Sequence, residues 1–306
     1  MVELIQNKLK LHGFNNLTKS LSFNIYDICY AKSEKEQRGY IAYIDEHYDS
    51  ERLTGIMHQL ANMIGATVLS VSKQDYEPQG ASCTFLIADV SMRGCFDVKG
   101  GTQIGVVPGA LTSGAVSSDA LASGAAASDT LKAKGLASNA LAPDVVLAHL
   151  DKSHVTVHTY PEYHPESSIA TFRVDIDVST CGEITPLSTL DYLIKSFDSD
   201  IITMDYRVRG FTRDVSGKKI FLDEGLTSIQ SYIDQKILEK YDAADVNMYQ
   251  NNMFHTKMLI KDVDLQNYLF NMDAKELPPK ERLAITTSLR QEMIEIYSGV
   301  NVFAKD

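Results

Sequence analysis

Across residues 151–162 apolar and polar positions alternate, with Val155 and Val157 on one side and His154, Thr156 and His158 on the other. A period of two predicts an extended strand with one buried face. Pro161 lacks a backbone donor and is expected to end that strand's ladder. The same period runs through Phe172, Val174, Ile176 and Val178, interleaved with Arg173, Asp175 and Asp177, and through Ile202, Met204, Tyr206 and Val208. Shorter strands are predicted at 9–13, 40–44, 67–72, 83–88 and near 253–261, with a turn over 77–82. Helical spacing appears in Leu53, Ile56, Met57, Leu60 and Ile64, with Ser50 as the expected N-cap and Gly65 at the C-terminal end. Thr185 and Pro186 open a second helix whose stripe is Leu187, Leu190, Leu193, Ile194 and Phe197. Further helices are predicted over 227–240 and 281–297. Interleaved strands and helices place the chain in the α/β class, as a layered sandwich of mainly antiparallel sheet with helices packed on it.

One segment breaks the pattern. Residues 100–143 are rich in Gly, Ala and Ser, and 113–121 (SGAVSSDAL) is nearly repeated at 123–131 (SGAAASDTL). Such a stretch buries too little apolar area to offset its ordering entropy, so a surface insertion without chemistry is expected.

Composition narrows the classes. With 306 residues the chain is long enough for one large or two ordinary domains, and no apolar run is long enough for a transmembrane helix. The N-terminus, MVELIQ, has neither the basic start nor the apolar core of a signal peptide, so the cytoplasm is the expected compartment. A net charge of -11 argues against a nucleic-acid partner. Cys29, Cys83, Cys95 and Cys181 form no CxxC pair, which argues against a structural zinc site or a disulfide framework.

Three segments carry candidate chemistry: Gln79 to Ser82, Lys152–Ser153–His154 with His158, and Ser179 to Gly182 around Cys181. A serine, an imidazole and a thiol suit nucleophilic catalysis of the Ser–His or Cys–His kind. Ser153 nevertheless lacks the G-x-S-x-G context of a nucleophile elbow, and Cys181 lacks a local protease signature. Taken singly, each residue also fits a half-buried strand or a turn.

Taken together and in order, the segments resemble the pyruvoyl-dependent S-adenosylmethionine decarboxylase proenzymes of the bacterial type with a Lys-Ser-His cleavage site. The resemblance rests on KLKLHGFNNLTKS at 8–20, DYEPQGAS at 75–82, AHLDKSH at 148–154, HTYPE at 158–162, STCG at 179–182, DYRVRGFTRD at 205–214 and FHTKM at 254–258. The insertion at 100–143 is longer and more repetitive than that family suggests.

The resemblance implies a chain that makes its own cofactor. Ser153 attacks the Lys152 carbonyl, and the chain is cut into a β-chain fragment 1–152 and an α-chain fragment 153–306 that form one catalytic unit, with a pyruvoyl group at Ser153. That group forms a Schiff base with S-adenosyl-L-methionine and acts as an electron sink as CO2 leaves. Decarboxylated S-adenosylmethionine is released for spermidine biosynthesis. His158 corresponds to the base that removes the Ser153 Cα proton, and Ser82 to a serine that assists processing. Cys181 corresponds to the proton donor, Glu162 to a ribose ligand and Tyr76 to an aromatic that stacks on adenine. Magnesium dependence and self-association of the cleaved pairs are implied too, although no D-x-D or EF-hand-like cluster is visible to hold the metal. Positions 153 and 158 are an odd number apart, so a regular strand would put them on opposite faces. A pyruvoyl-dependent arginine or ornithine decarboxylase on the same scaffold, and an unprocessed non-catalytic partner, are the rival readings.

Overall fold

The protein, analysed as a computed structural model, is described over residues 16–89, 153–181, 184–197, 199–214 and 216–302. The strand expected at 9–13, the insertion at 100–143, Cys95, Lys152 and Gly182 lie outside the described residues.

The centre of the molecule is a strand that the alternation reading overlooked. β1 (Thr18–Tyr30) is flanked by β5 (Ile169–Cys181) and β6 (Ile201–Arg209), each antiparallel to it. With β2 (Ala66–Asp75), β3 (Ala81–Asp89), β4 (His154–Tyr163), β9 (Tyr241–Asp245) and β10 (Met253–Ile260) it forms an eight-stranded sheet in the order β2-β3-β4-β5-β1-β6-β10-β9. Every pairing in it is antiparallel. A separate two-stranded ribbon joins β7 (Thr212–Arg213) to β8 (Lys219–Ile220).

Alternation assigns the faces. Val155 and Val157 are fully buried, as are Phe23, Ile25, Val174, Ile176, Ile202 and Met204, and all belong to one core with helices α1 (Glu34–His47), α2 (Ser50–Met63) and α3 (Leu190–Ser196). Each such side chain contributes about 1.5–3 kcal/mol relative to exposure. Among the described residues the opposite face is covered only in part. A second, smaller cluster joins Ile28 and Ile201 to Ile285, Leu289 and Met293 of the C-terminal helix, Pro279–Ser298. Away from that helix the face carries Asp175, Asp177, Asp205, Arg207 and Arg209, half-buried or exposed. Such polar-out alternation is what lets one face of an antiparallel sheet meet water.

Several expectations need correction. Residues 40–44 are helical, not a strand. Ser33 and Glu36 form a capping box, and Gln37, Tyr40, Ile41 and Ile44 recur at helical spacing as the buried stripe of α1. The N-cap of α2 is Asp49, which accepts from Arg52 N at 2.7 Å, while Ser50 instead bonds Asp75. No single helix spans 227–240. Ser228 and Asp234 each cap a separate short turn, Ile229–Tyr232 and α4 (Gln235–Leu238), with Ile233 extended between them. The β4 ladder also does not stop at Pro161. Pairing with β3 ends at His158, whereas pairing with β5 continues to Tyr163, so proline sits where the β3 side needs no donor.

Candidate active site

Ser153 immediately precedes β4 and is 3% exposed. Its carbonyl accepts from Ile87 N at 3.1 Å, which ties the head of β4 to β3. On the other side His154 pairs with Ser179, and β5 runs two residues further, to Cys181. Cys181 closes β5, half-buried, with Thr18 of β1 opposite it. Ser153 and Cys181 therefore share one end of the sheet. Cys29 is a poorer reagent: burial, reinforced by Asp27, pushes its thiol up to about 12, so it stays protonated. Burial also raises the Cys83 thiol.

A second group assembles further along the strand. Ser82 and His158 are direct cross-strand partners in the β3–β4 ladder, and His158 in turn faces Asp175 across the β4–β5 ladder. The hydroxyls of Tyr76 and Ser82 lie 2.8 Å apart. The turn that delivers them is tightly built. Tyr76 N donates to Gly80 O at 2.8 Å, Gly80 N donates to Asp45 at 2.8 Å, and Ala81 N donates to Thr159 Oγ1 at 2.7 Å. Gly80 has φ +91°, and a Cβ there would stand 2.7 Å from the Thr159 carbonyl oxygen, so only glycine fits.

The two groups do not meet within one chain. β4 is unbroken from His154 to Tyr163. Five residues of extended strand separate Ser153 from His158 by about 16 Å, and alternation turns their side chains to opposite faces. Glu162 lies farther still, exposed on the open face, and Tyr76 is 39% exposed. Sequence reasoning missed Asp175, Arg173 and Asn24. Their signal was the register: once β4 and β5 are paired, Asp175 is the acid that falls beside His158.

Among the described residues, no three His, Cys, Asp or Glu side chains are disposed to hold a metal ion. The implied magnesium therefore has no fitting donor set there. Likewise, no helix among the described residues is long and apolar enough to cross a membrane.

Comparison with known proteins gives consistent results. A family model described as S-adenosylmethionine decarboxylase matches residues 142–210, which include the Lys152–Ser153 bond, His158 and Cys181. The S-adenosylmethionine decarboxylase proenzyme of a Clostridium botulinum strain is 59% identical over 299 residues, covering 98% of this chain and 98% of that one. The proenzyme of Alkaliphilus oremlandii is 59% identical over 98% of this chain and 99% of that one. A solved structure of the adenosylmethionine decarboxylase from Aquifex aeolicus aligns at 14% identity over 70% of this chain and all of that one, with a TM-score of 0.29, too low to add to the sheet order above. These relatives are named for S-adenosylmethionine, not for arginine or ornithine. At that identity, over nearly its full length, the chain belongs to the S-adenosylmethionine decarboxylase proenzyme family and is a carboxy-lyase.

Proposed function

We propose that this decarboxylase makes its pyruvoyl group from Ser153, and that the chain cuts itself before that residue into fragments 1–152 and 153–306. The observation that carries the reading is the placement of Ser153, buried at the head of β4 with Cys181 closing the neighbouring strand. The Ser153 hydroxyl attacks the Lys152 carbonyl, and the amide becomes an ester as the Ser153 nitrogen is released. Removal of the Cα proton then breaks the Cβ–O bond, leaving Lys152 with a free carboxylate. The resulting enamine tautomerises to an imine and takes up water, losing ammonia, to give the pyruvoyl group. Ser153 suits the product as well, because a carbonyl at a 3%-exposed position is shielded from bulk water.

When present, a pyruvoyl carbonyl takes the α-amine of S-adenosyl-L-methionine and accepts the electron pair freed as CO2 departs. Cys181, at the same end of the sheet, supplies the proton to the carbon that has lost its carboxylate. His158 takes the Cα proton during processing, and Ser82, hydrogen-bonded to Tyr76, stabilises the oxyanion or ester. Glu162 holds the substrate ribose and the Tyr76 ring meets the adenine.

Since His158 stands about 16 Å from the Ser153 of its own chain, the reading requires a second copy. In this reading self-association brings Ser82, His158 and Glu162 of one copy to the end of the sheet where Ser153 and Cys181 of its neighbour lie. Intact-mass measurement tests the cleavage. The purified protein is expected as two fragments meeting between Lys152 and Ser153, and Ser153→Ala as one uncut chain of 33.9 kDa without decarboxylase activity. A Ser153→Ala chain cut at the normal rate would overturn the assignment.

A further inference from the structure

Asp175 faces His158 across the β4–β5 ladder on the open side of the sheet, and nothing in the chemistry above uses it. Directly opposed side chains in an antiparallel pair have Cβ atoms about 5 Å apart. Asp175 is fixed in place. Arg173 donates to it from Nε at 2.8 Å and again from Nη2, and the Asn24 amide donates at 3.2 Å. The Arg173 guanidinium lies 5.0 Å from the centre of the Tyr160 ring, and Tyr160 stacks on His158 at 6.2 Å and 18°. His158, Tyr160, Arg173 and Asp175 thus close a ring, with Ser82 on the other flank of the imidazole. A polar strand exposed for solubility alone has no need of such framing. A base does, because a third group commonly sets its orientation and charge. Imidazole and carboxylate are neighbours here without a hydrogen bond between them, as is common before a reacting geometry is assembled.

We infer that Asp175 is the positioning residue for His158, a fixed carboxylate beside the imidazole that Arg173 holds in place and partly neutralises. The inference rests on the reading of His158 as the processing base. The charged and titratable groups facing His158 are Asp175 directly opposite, Arg173 and Asp177 diagonally on β5, Tyr160 along β4, and the Tyr76 hydroxyl beyond Ser82. A unit charge added or removed at such a distance shifts a protonation midpoint by about one pH unit.

The test is the rate of proenzyme cleavage against pH, followed on denaturing gels, for the full chain and three variants. Asp175→Asn removes the anion, so the half-maximal rate should move to lower pH, with the plateau reduced about tenfold. Arg173→Gln leaves the anion unmoderated, so its midpoint should move to higher pH. Opposite shifts separate positioning from mere loss of structure, which moves neither midpoint. Should Asp175→Asn fail to fold, the Arg173→Gln shift stands alone. Unchanged midpoints, or shifts in the same direction, overturn the inference provided His158→Ala abolishes cleavage. If His158→Ala cleaves normally, the underlying reading of His158 has failed instead, and the inference with it.

Discussion

Two defective chains should rescue each other. Ser153→Ala retains His158 but has no hydroxyl to attack with, and His158→Ala retains Ser153 but has no base. In one chain these positions are about 16 Å apart along an unbroken strand and on opposite faces. No side-chain rotation closes that gap, because a catalytic base must come within hydrogen-bond reach of its proton. If each copy supplies the base for its neighbour, each variant alone stays whole. In a co-expressed mixture one site per mixed pair regains both groups. With equal amounts and random pairing into two-fold dimers, about half of the pairs are mixed. About half of the His158→Ala chain is then cut, and none of the Ser153→Ala chain. Tags of different mass on the two chains allow denaturing gels or intact-mass spectra to say which was cut. An uncut mixture in which pull-down confirms mixed pairs refutes the arrangement between copies. Cleavage of His158→Ala on its own refutes the choice of base.

Two further outcomes are expected. Gly80→Ala forces a side chain into positive φ and against the Thr159 carbonyl, which should cost roughly 1–3 kcal/mol in urea denaturation and slow cleavage by displacing Ser82; a denaturation midpoint and cleavage rate equal to wild type contradict it. Cys181→Ala should be cut normally yet lose about a hundredfold in turnover, with progressive inactivation as protons reach the wrong atom; CO2 release at the wild-type rate moves the proton donor elsewhere.

The readable part of the fold was wherever one face of a strand is buried. Val155 and Val157, and Phe172 to Val178, show the alternation and are strands. β1 alternates just as well from Leu21 to Ile25, but its polar partners are Ser22 and Asn24, and its burial switches side at Ile28 where the C-terminal helix packs. A strand buried on one face for half its length and on both thereafter has no single period to find. The helix at 34–47 was hidden differently. Its run IAYI is dense enough in β-branched and aromatic residues to suggest a strand, and only the cap at Ser33 decides between the periods.

The candidate residues were legible as an inventory, not as an arrangement. Ser153, His158, Cys181 and Ser82 were all identifiable in one dimension, and their parity already implied that Ser153 and His158 face apart. What a linear reading lacks is pairing across strands. That pairing puts Ser82 and Asp175 on either flank of His158 and leaves Cys181 at the Ser153 end of the sheet, on the open face by the alternation of β5. The consequence is physical. Helix burial holds Ser153 from one face, while the other face displays His158, so the two candidate residues are divided by the thickness of a sheet. A turn in β4 could have joined the halves, but it would have broken the β5 ladder that runs without interruption from His154 to Tyr163. The second copy proposed above would keep every one of those backbone hydrogen bonds, with Ser153 and His158 still on opposite faces of the same strand.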